Sequence, residues 1–244
     1  MKKTFMLLAA AVACLIGFTS CDGEEIDLSQ FAGQDVLGHI TLVTSNVQGE
    51  QPYASGDSIL LKSAMCNAQV EIINGVTVDA GAVYVGTASD IVAEGSTNIN
   101  YPLCGINLRQ AGTGTFTISC PVNNFSAFEY VRDQNWTGLL LSGSTQLGNV
   151  LVLAVDEENY YMAYEGTITI TEFNEVGTLV KGQVTNVKAF YITKAQMTAL
   201  WAMSEEERDA ITPADYFTST ITLNGEISSR RANMDDVLDA LEEI

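Results

Sequence analysis

The chain holds a single histidine, His39, among its 244 residues. That scarcity excludes any metal site built on two or more histidines, and it obliges a Ser-His-Asp or Cys-His centre to use this one ring. Also missing are the Gly-x-Ser-x-Gly nucleophile elbow, the His-Glu-x-x-His zinc motif, and the Gly-x-Gly-x-x-Gly and phosphate-loop patterns. No cofactor and no metal is implied. Basic residues are few, with 11 Lys and Arg against 30 Asp and Glu and a formal net charge of −19. Residues 1–20 contain two of the basic residues and no acidic one, so the charge without them is −21. Phosphate backbones and anionic lipid heads repel such a chain, which argues against nucleic acid as a partner. No apolar run reaches the about 20 residues that a membrane-crossing helix needs.

What is present begins at the N-terminus. Lys2 and Lys3 precede an unbroken apolar run from Phe5 to Phe18, and the small residues Thr19 and Ser20 lead to Cys21. Positive start, short apolar core and small-residue exit make a secretory signal over residues 1–20. The order Phe18-Thr19-Ser20-Cys21 resembles a bacterial lipobox, although Phe18 stands where leucine is usual. The resemblance implies lipidation of Cys21, the first residue of the processed chain, by two or three acyl chains, palmitate among them. Cys14 after Ala11-Val12-Ala13 is a competing site. It would leave only residues 5–13 as the apolar core and expose Leu15 to Phe18 to water. An ordinary cleaved signal ending near Ser20 is the plainer alternative. One acyl chain gives marginal membrane binding, at about 0.8 kcal/mol per buried CH₂, and several hold firmly. Asp22-Gly23-Glu24-Glu25 follows directly and resembles the surface-export signals of Bacteroidetes lipoproteins. The implied address is the outer membrane of the cell envelope, with the domain facing outward. Residues 21–35 are acidic and aperiodic, and read as a lipidated tether.

From Val36 the pattern alternates with period two, the signature of strands. It predicts strands over Val36–Thr44, Asp57–Cys66, Val70–Val78 with Asn74-Gly75 as a hairpin turn, and Ala82–Val85. Further strands are predicted at Leu147–Val155, Tyr160–Tyr164, Gly166–Phe173, Thr178–Ile192 and Phe217–Ile227. Between Val184 and Val187 the apolar positions change parity, which predicts a β-bulge at Thr185-Asn186. The stretch from Gly166 to Gly182 is similar to closing hairpins in Bacteroidetes lipoproteins of unknown function, a likeness that brings no catalytic residue with it.

Five cysteines are present; Cys14 leaves with the signal and Cys21 takes the lipid. Cys66, Cys104 and Cys120 remain, an odd number in an oxidising compartment. With Ala111-Gly112-Thr113 as the loop of a hairpin, Cys104 faces Cys120, Ile106 faces Ile118 and Leu108 faces Phe116. One face is then apolar, while Asn107 and Arg109 lie on the other. This register predicts a Cys104–Cys120 disulfide and a buried, reduced Cys66. Two packed free thiols are the alternative.

Two helical stretches interrupt the strands. Thr193 with Gln196 and Ser204 with Glu207 fit capping boxes, and Pro213 reads as the stop of an insertion over 193–212. Met234, Val237, Leu238 and Leu241 have helical spacing, which predicts an amphipathic C-terminal helix over 228–244. The whole is read as one mainly β domain over 36–227, an antiparallel β-sandwich or barrel-like fold.

Function is less legible. His39 lies within the first strand and reads as a structural side chain. Tyr130 and Trp136 are the candidates for a ligand-stacking surface, with core packing as the bland alternative. Ser58 in Asp57-Ser58-Ile59 resembles a Bacteroidetes O-glycosylation site, though the pattern is also a plain strand start. Asp156-Glu157-Glu158-Asn159 offers oxygen ligands but lacks the spacing of a calcium loop, so it reads as a solvated turn. The leading expectation is a non-catalytic binding module for a glycan or an envelope protein. The alternatives are a carboxylate-dependent glycan hydrolase, which needs only two acids about 5–9 Å apart, and a structural subunit docking through the C-terminal helix.

Overall fold

The structure is a computed structural model that describes residues 38–72, 76–88, 101–118, 125, 128, 148–156 and 158–231. Its strands are β1 (Gly38–Gln48), β2 (Ser58–Ile72), β3 (Val76–Ala88), β4 (Leu103–Leu108), β5 (Gly114–Ile118), β6 (Val150–Ala154), β7 (Tyr160–Glu172), β8 (Leu179–Ile192) and β9 (Thr220–Arg231). Antiparallel pairings run from β1 through β2, β3, β4, β6, β7, β8 and β9 back to β1. The fold is therefore mainly antiparallel β and barrel-like. One edge of β7 is taken along its length by β8. Its other edge is shared, β6 pairing with its first residues and β5 with Gly166–Ile170. Asn149 joins β5 to β6 end to end: its Nδ2 donates to the Thr117 carbonyl at 2.9 Å and its Oδ1 accepts from the Arg109 amide at 2.9 Å.

Alternation decides which side chains fill the barrel. Ile40, Leu42, Ile59, Leu61, Tyr84, Ile106, Leu151, Leu153 and Leu223 are among the buried residues of a continuous inner cluster. A ring of eight strands leaves an interior just wide enough for such side chains. Two polar side chains meet inside it, where the buried Ser63 and Ser229 hydroxyls lie 2.6 Å apart. The interior is a hydrophobic core.

β7 and β8 change parity at the same level. In β7, Tyr161 and Ala163 face inward, then Ile168 and Ile170; in β8, Val180 and Val184 face inward, then Val187 and Ala189. The β8 ladder slips between Val184 and Val187, and Asn186 has φ 49°. This is the bulge that the apolar parity predicts. The flip also turns Tyr160, Met162, Phe190 and Ile192 to the outside, where they need a cover.

The cover is helical. α1 (Lys194–Ala202), α2 (Glu205–Asp209) and α3 (Pro213–Tyr216) lie between β8 and β9. Met197, Leu200, Phe217, Phe125 and Phe128 join the outward residues of β6, β7 and β8 in a second buried cluster. The capping boxes of Thr193 and Ser204 both form. Pro213 does not stop the excursion. It sits in the first turn of α3 under a Thr212 cap, a position that needs no amide donor. The insertion thus reaches Tyr216, and Phe217 belongs to the helical cover, so β9 begins only at Thr220.

Other boundaries move as well: β1 runs on to Gln48, and the strand predicted to end at Cys66 continues as β2 to Ile72. The predicted short strand at Ala82–Val85 is part of β3, and Tyr160–Phe173 holds one bent strand rather than two. At the C-terminal end, residues 228–231 continue β9, where Ser228 pairs with Lys181 and Arg230 with Leu179; the helix expected over 228–244 does not begin at 228. Residues 232–244 lie outside the described residues, as does the Asn74-Gly75 turn. The ladder that meets at Ile72 and Val76 is the hairpin expected around that turn.

Candidate functional site

The structure separates Cys104 from the hairpin that would pair it. β4 is bonded on both sides, to β3 and to β6, while β5 pairs with β7. Ile118 faces Gly166 and Phe116 faces Ile168, in place of the expected Ile106 and Leu108. The reason is competition for edges: the alternating run on β7 offers β5 a ladder, whereas both edges of β4 are taken. Cys104 is a free thiol with no exposed surface, and burial pushes its pKa up to about 12. Cys120 lies outside the described residues, and Cys66 falls on β2. Thiol labelling under native conditions is expected to leave Cys104 unmodified, and unfolding without reductant should release it. A Cys104-containing disulfide peptide in the unreduced digest would contradict the free thiol.

Among the other candidates, Cys21, Tyr130 and Trp136 lie outside the described residues. Ser58 opens β2 with its side chain exposed, so its hydroxyl is accessible on the outer face. His39 points outward from β1 beside Lys62 and Ser228, solvent-exposed rather than packed in a core. The Asp156 carboxylate is occupied by its own turn. Its Oδ1 accepts from the amides of Glu158 and Asn159 at 2.7 and 2.8 Å, and both its oxygens accept from Asn159 Nδ2. No set of three or more metal-ligating side chains is found among the described residues. Glu207, which caps α2, is held below its ordinary pKa by hydrogen bonds from the Ser204 amide and hydroxyl. That is the opposite of what a general acid needs.

The arrangement with the most chemical content is at one end of the barrel. β1 begins at the other end, the entry end. Because neighbours alternate in direction, β1, β3, β6 and β8 finish at the far end, where β2, β4, β7 and β9 start. Three tyrosines meet there. Tyr161 is buried near the start of β7, and Tyr191 reaches the same level of β8 because the bulge restores its inward parity. Tyr53 comes from the turn between β1 and β2. Tyr53 stacks on Tyr161 with centroids 5.8 Å apart and planes at 28°, and Tyr161 meets Tyr191 at 5.0 Å and 40°. Tyr161 is enclosed, while Tyr53 and Tyr191 keep part of their surface in water.

The turn that carries Tyr53 is tied down. Thr44 Oγ1 donates to the Ala54 carbonyl at 2.5 Å, Gln51 Nε2 donates to the Thr220 carbonyl at 2.9 Å, and the Ala54 amide donates to Asp57 Oδ2 at 2.7 Å. Desolvation, with the Asp57 charge beside it, pushes the Tyr53 phenol up to about 12. Burial raises Tyr161 and Tyr191 as well, and the Asp156 charge adds to the rise at Tyr191. The Tyr161 hydroxyl faces the Tyr53 backbone but makes no hydrogen bond of ordinary geometry.

Sequence patterns do not single out this trio. The one signal for Tyr53 is a large aromatic after Pro52 in an otherwise small and polar turn. Tyr191 is found only by carrying the bulge's parity change two steps further. Compared with protein-family models, curated proteins and solved structures, the chain matches none. No described helix is long and apolar enough to cross a membrane.

Proposed function

We propose that the chain is a lipid-anchored outer-membrane protein of the cell envelope that binds its ligand without cutting it, and that the ligand docks over Tyr53 and Tyr191 at the far end of the barrel. The observation that carries this reading is the tyrosine stack. Its outer rings keep part of their surface in water, belong to backbone held by hydrogen bonds, and are backed by a buried third ring. Rigid, partly exposed tyrosines supply contact area at little entropic cost, which suits the face of a sugar or a protein side chain. A filled barrel interior supports the same placement, since it leaves the ends and the outer face for binding. The anchor at Cys21 would hold the entry end, into which β1 leads, toward the membrane and leave the far end free for a glycan or an envelope protein.

Two measurements test this. Cys21→Ala is expected to move the protein from the membrane to the soluble fraction and to remove the mass of the acyl chains. Equal retention on the membrane, with no mass lost, ends the anchor reading. Screening against glycans and envelope proteins is expected to find a ligand whose binding falls at least tenfold in Tyr53→Ala/Tyr191→Ala, about 1.4 kcal/mol. A double variant that keeps its fold by circular dichroism and still binds every ligand of the wild type removes the far end from consideration.

A further inference from the structure

We propose that the far-end site selects an organic cation, such as an amine-bearing sugar, held over the Tyr53 and Tyr191 rings between the carboxylates of Asp57 and Asp156. The inference rests on the reading that this end binds a ligand, and it adds the ligand's chemical class.

Three observations point the same way. The rings come first. Each outer tyrosine has Tyr161 packed against it and keeps part of its surface in water. An aromatic face carries negative potential and attracts a cation that lies over it. The acids are second. Asp57 Oδ2 accepts from the amide of Ala54, the residue after Tyr53, and the charge of Asp156, in the turn before β7, acts on Tyr191, so a carboxylate lies near each outer ring. Both are exposed and both are fixed, Asp57 by the Ala54 amide and Asp156 by the Asn159 turn, so their charges are preorganised. Third, the two described cations nearest in sequence to Tyr191, Lys188 and Lys194, are both ion-paired, with Glu165 and Glu158, so neither stands as a lone positive charge for an anionic ligand. The field of a chain at −21 without residues 1–20 acts in the same sense, since it draws cations in and turns anions away. An inorganic ion fits less well, because no set of three metal-ligating side chains is found among the described residues.

The test uses two probes that differ only in charge, a tetramer of glucosamine and its N-acetylated counterpart. They are titrated into the processed, detergent-solubilised protein by calorimetry. The cationic tetramer is expected to bind about tenfold more tightly, the size of effect that two carboxylates a few ångströms away exert at a protein surface. Raising the salt from 0.05 to 0.5 M should erase most of that difference, because it shortens the Debye length to about 4 Å. Asp57→Asn/Asp156→Asn, which keeps oxygen acceptors for both turns, should bring the two affinities within about twofold of each other. Equal binding of both tetramers by the wild type, lost in Tyr53→Ala/Tyr191→Ala, overturns the cation and leaves the docking reading standing. If neither tetramer binds, the cation falls too. The docking reading then stands or falls on whether another ligand needs the two rings.

Discussion

Gly166→Ala is expected to destabilise the protein by about 3 kcal/mol or more. Gly166 has φ +123°, outside the region that side-chain-bearing residues adopt. A Cβ placed there lies 2.5 Å from Val187 Cα and 2.7 Å from the Asn186 carbonyl oxygen, and both atoms are backbone. No rotamer change relieves such a contact. The β8 bulge is pressed against β7 at this level, and both strands change parity around it, so relief would have to come from shifting the ladder. A loss of this size corresponds to a fall in melting temperature of roughly 6–12 °C for a domain of this length. Gly56→Ala is the control. Gly56 has φ +97°, but no heavy atom lies within 4 Å of where its added methyl would stand, so only the backbone strain of about 1–2 kcal/mol applies. Equal losses in the two variants would mean that the close approach at Gly166 contributes nothing.

Phe217→Ala is expected to cost about 3–5 kcal/mol and to act on one region first. Phe217 has no exposed surface. Its ring meets Tyr216 at 5.1 Å, Phe128 at 5.2 Å, Phe190 at 6.0 Å and Phe125 at 6.2 Å. Each such ring pair adds roughly 0.5–1.5 kcal/mol beyond area burial. Phe190 belongs to β8 and Tyr216 to α3, so Phe217 is where the helical cover is fastened to the outer face. Limited proteolysis is expected to cut the variant faster within residues 193–216 while the barrel strands stay protected. Uniform acceleration across the chain would show instead that cover and barrel open as one unit.

The strands, the two capping boxes and the β8 bulge were legible in the sequence for one reason: each is a local pattern. Alternation names the inward residues of β1, β2 and β9. Thr193 with Gln196 and Ser204 with Glu207 satisfy each other across one helical turn. The step from Val184 to Val187 marks a change of face without reference to any other strand. The candidate site was harder to find. Tyr53, Tyr161 and Tyr191 are separated by more than a hundred residues at the widest, and nothing in the residues around one of them names the others. Cys104 and Cys120 show the converse error. Their hairpin satisfied every local rule, yet β5 took its place on β7, because the pairing of an edge is settled by which strands compete for it.

The sequence alone therefore determined that this chain alternates, where the Thr193 and Ser204 caps lie and where β8 bulges, since each of these is set by residues a few positions apart. Tertiary structure decided how the strands close, which face of β6, β7 and β8 needs helices over it, and that three tyrosines meet at one end. The reason is that a β-ladder joins residues by hydrogen bonds across any distance along the chain, so strand order is chosen by the whole sheet at once, and the site at its end inherits that choice.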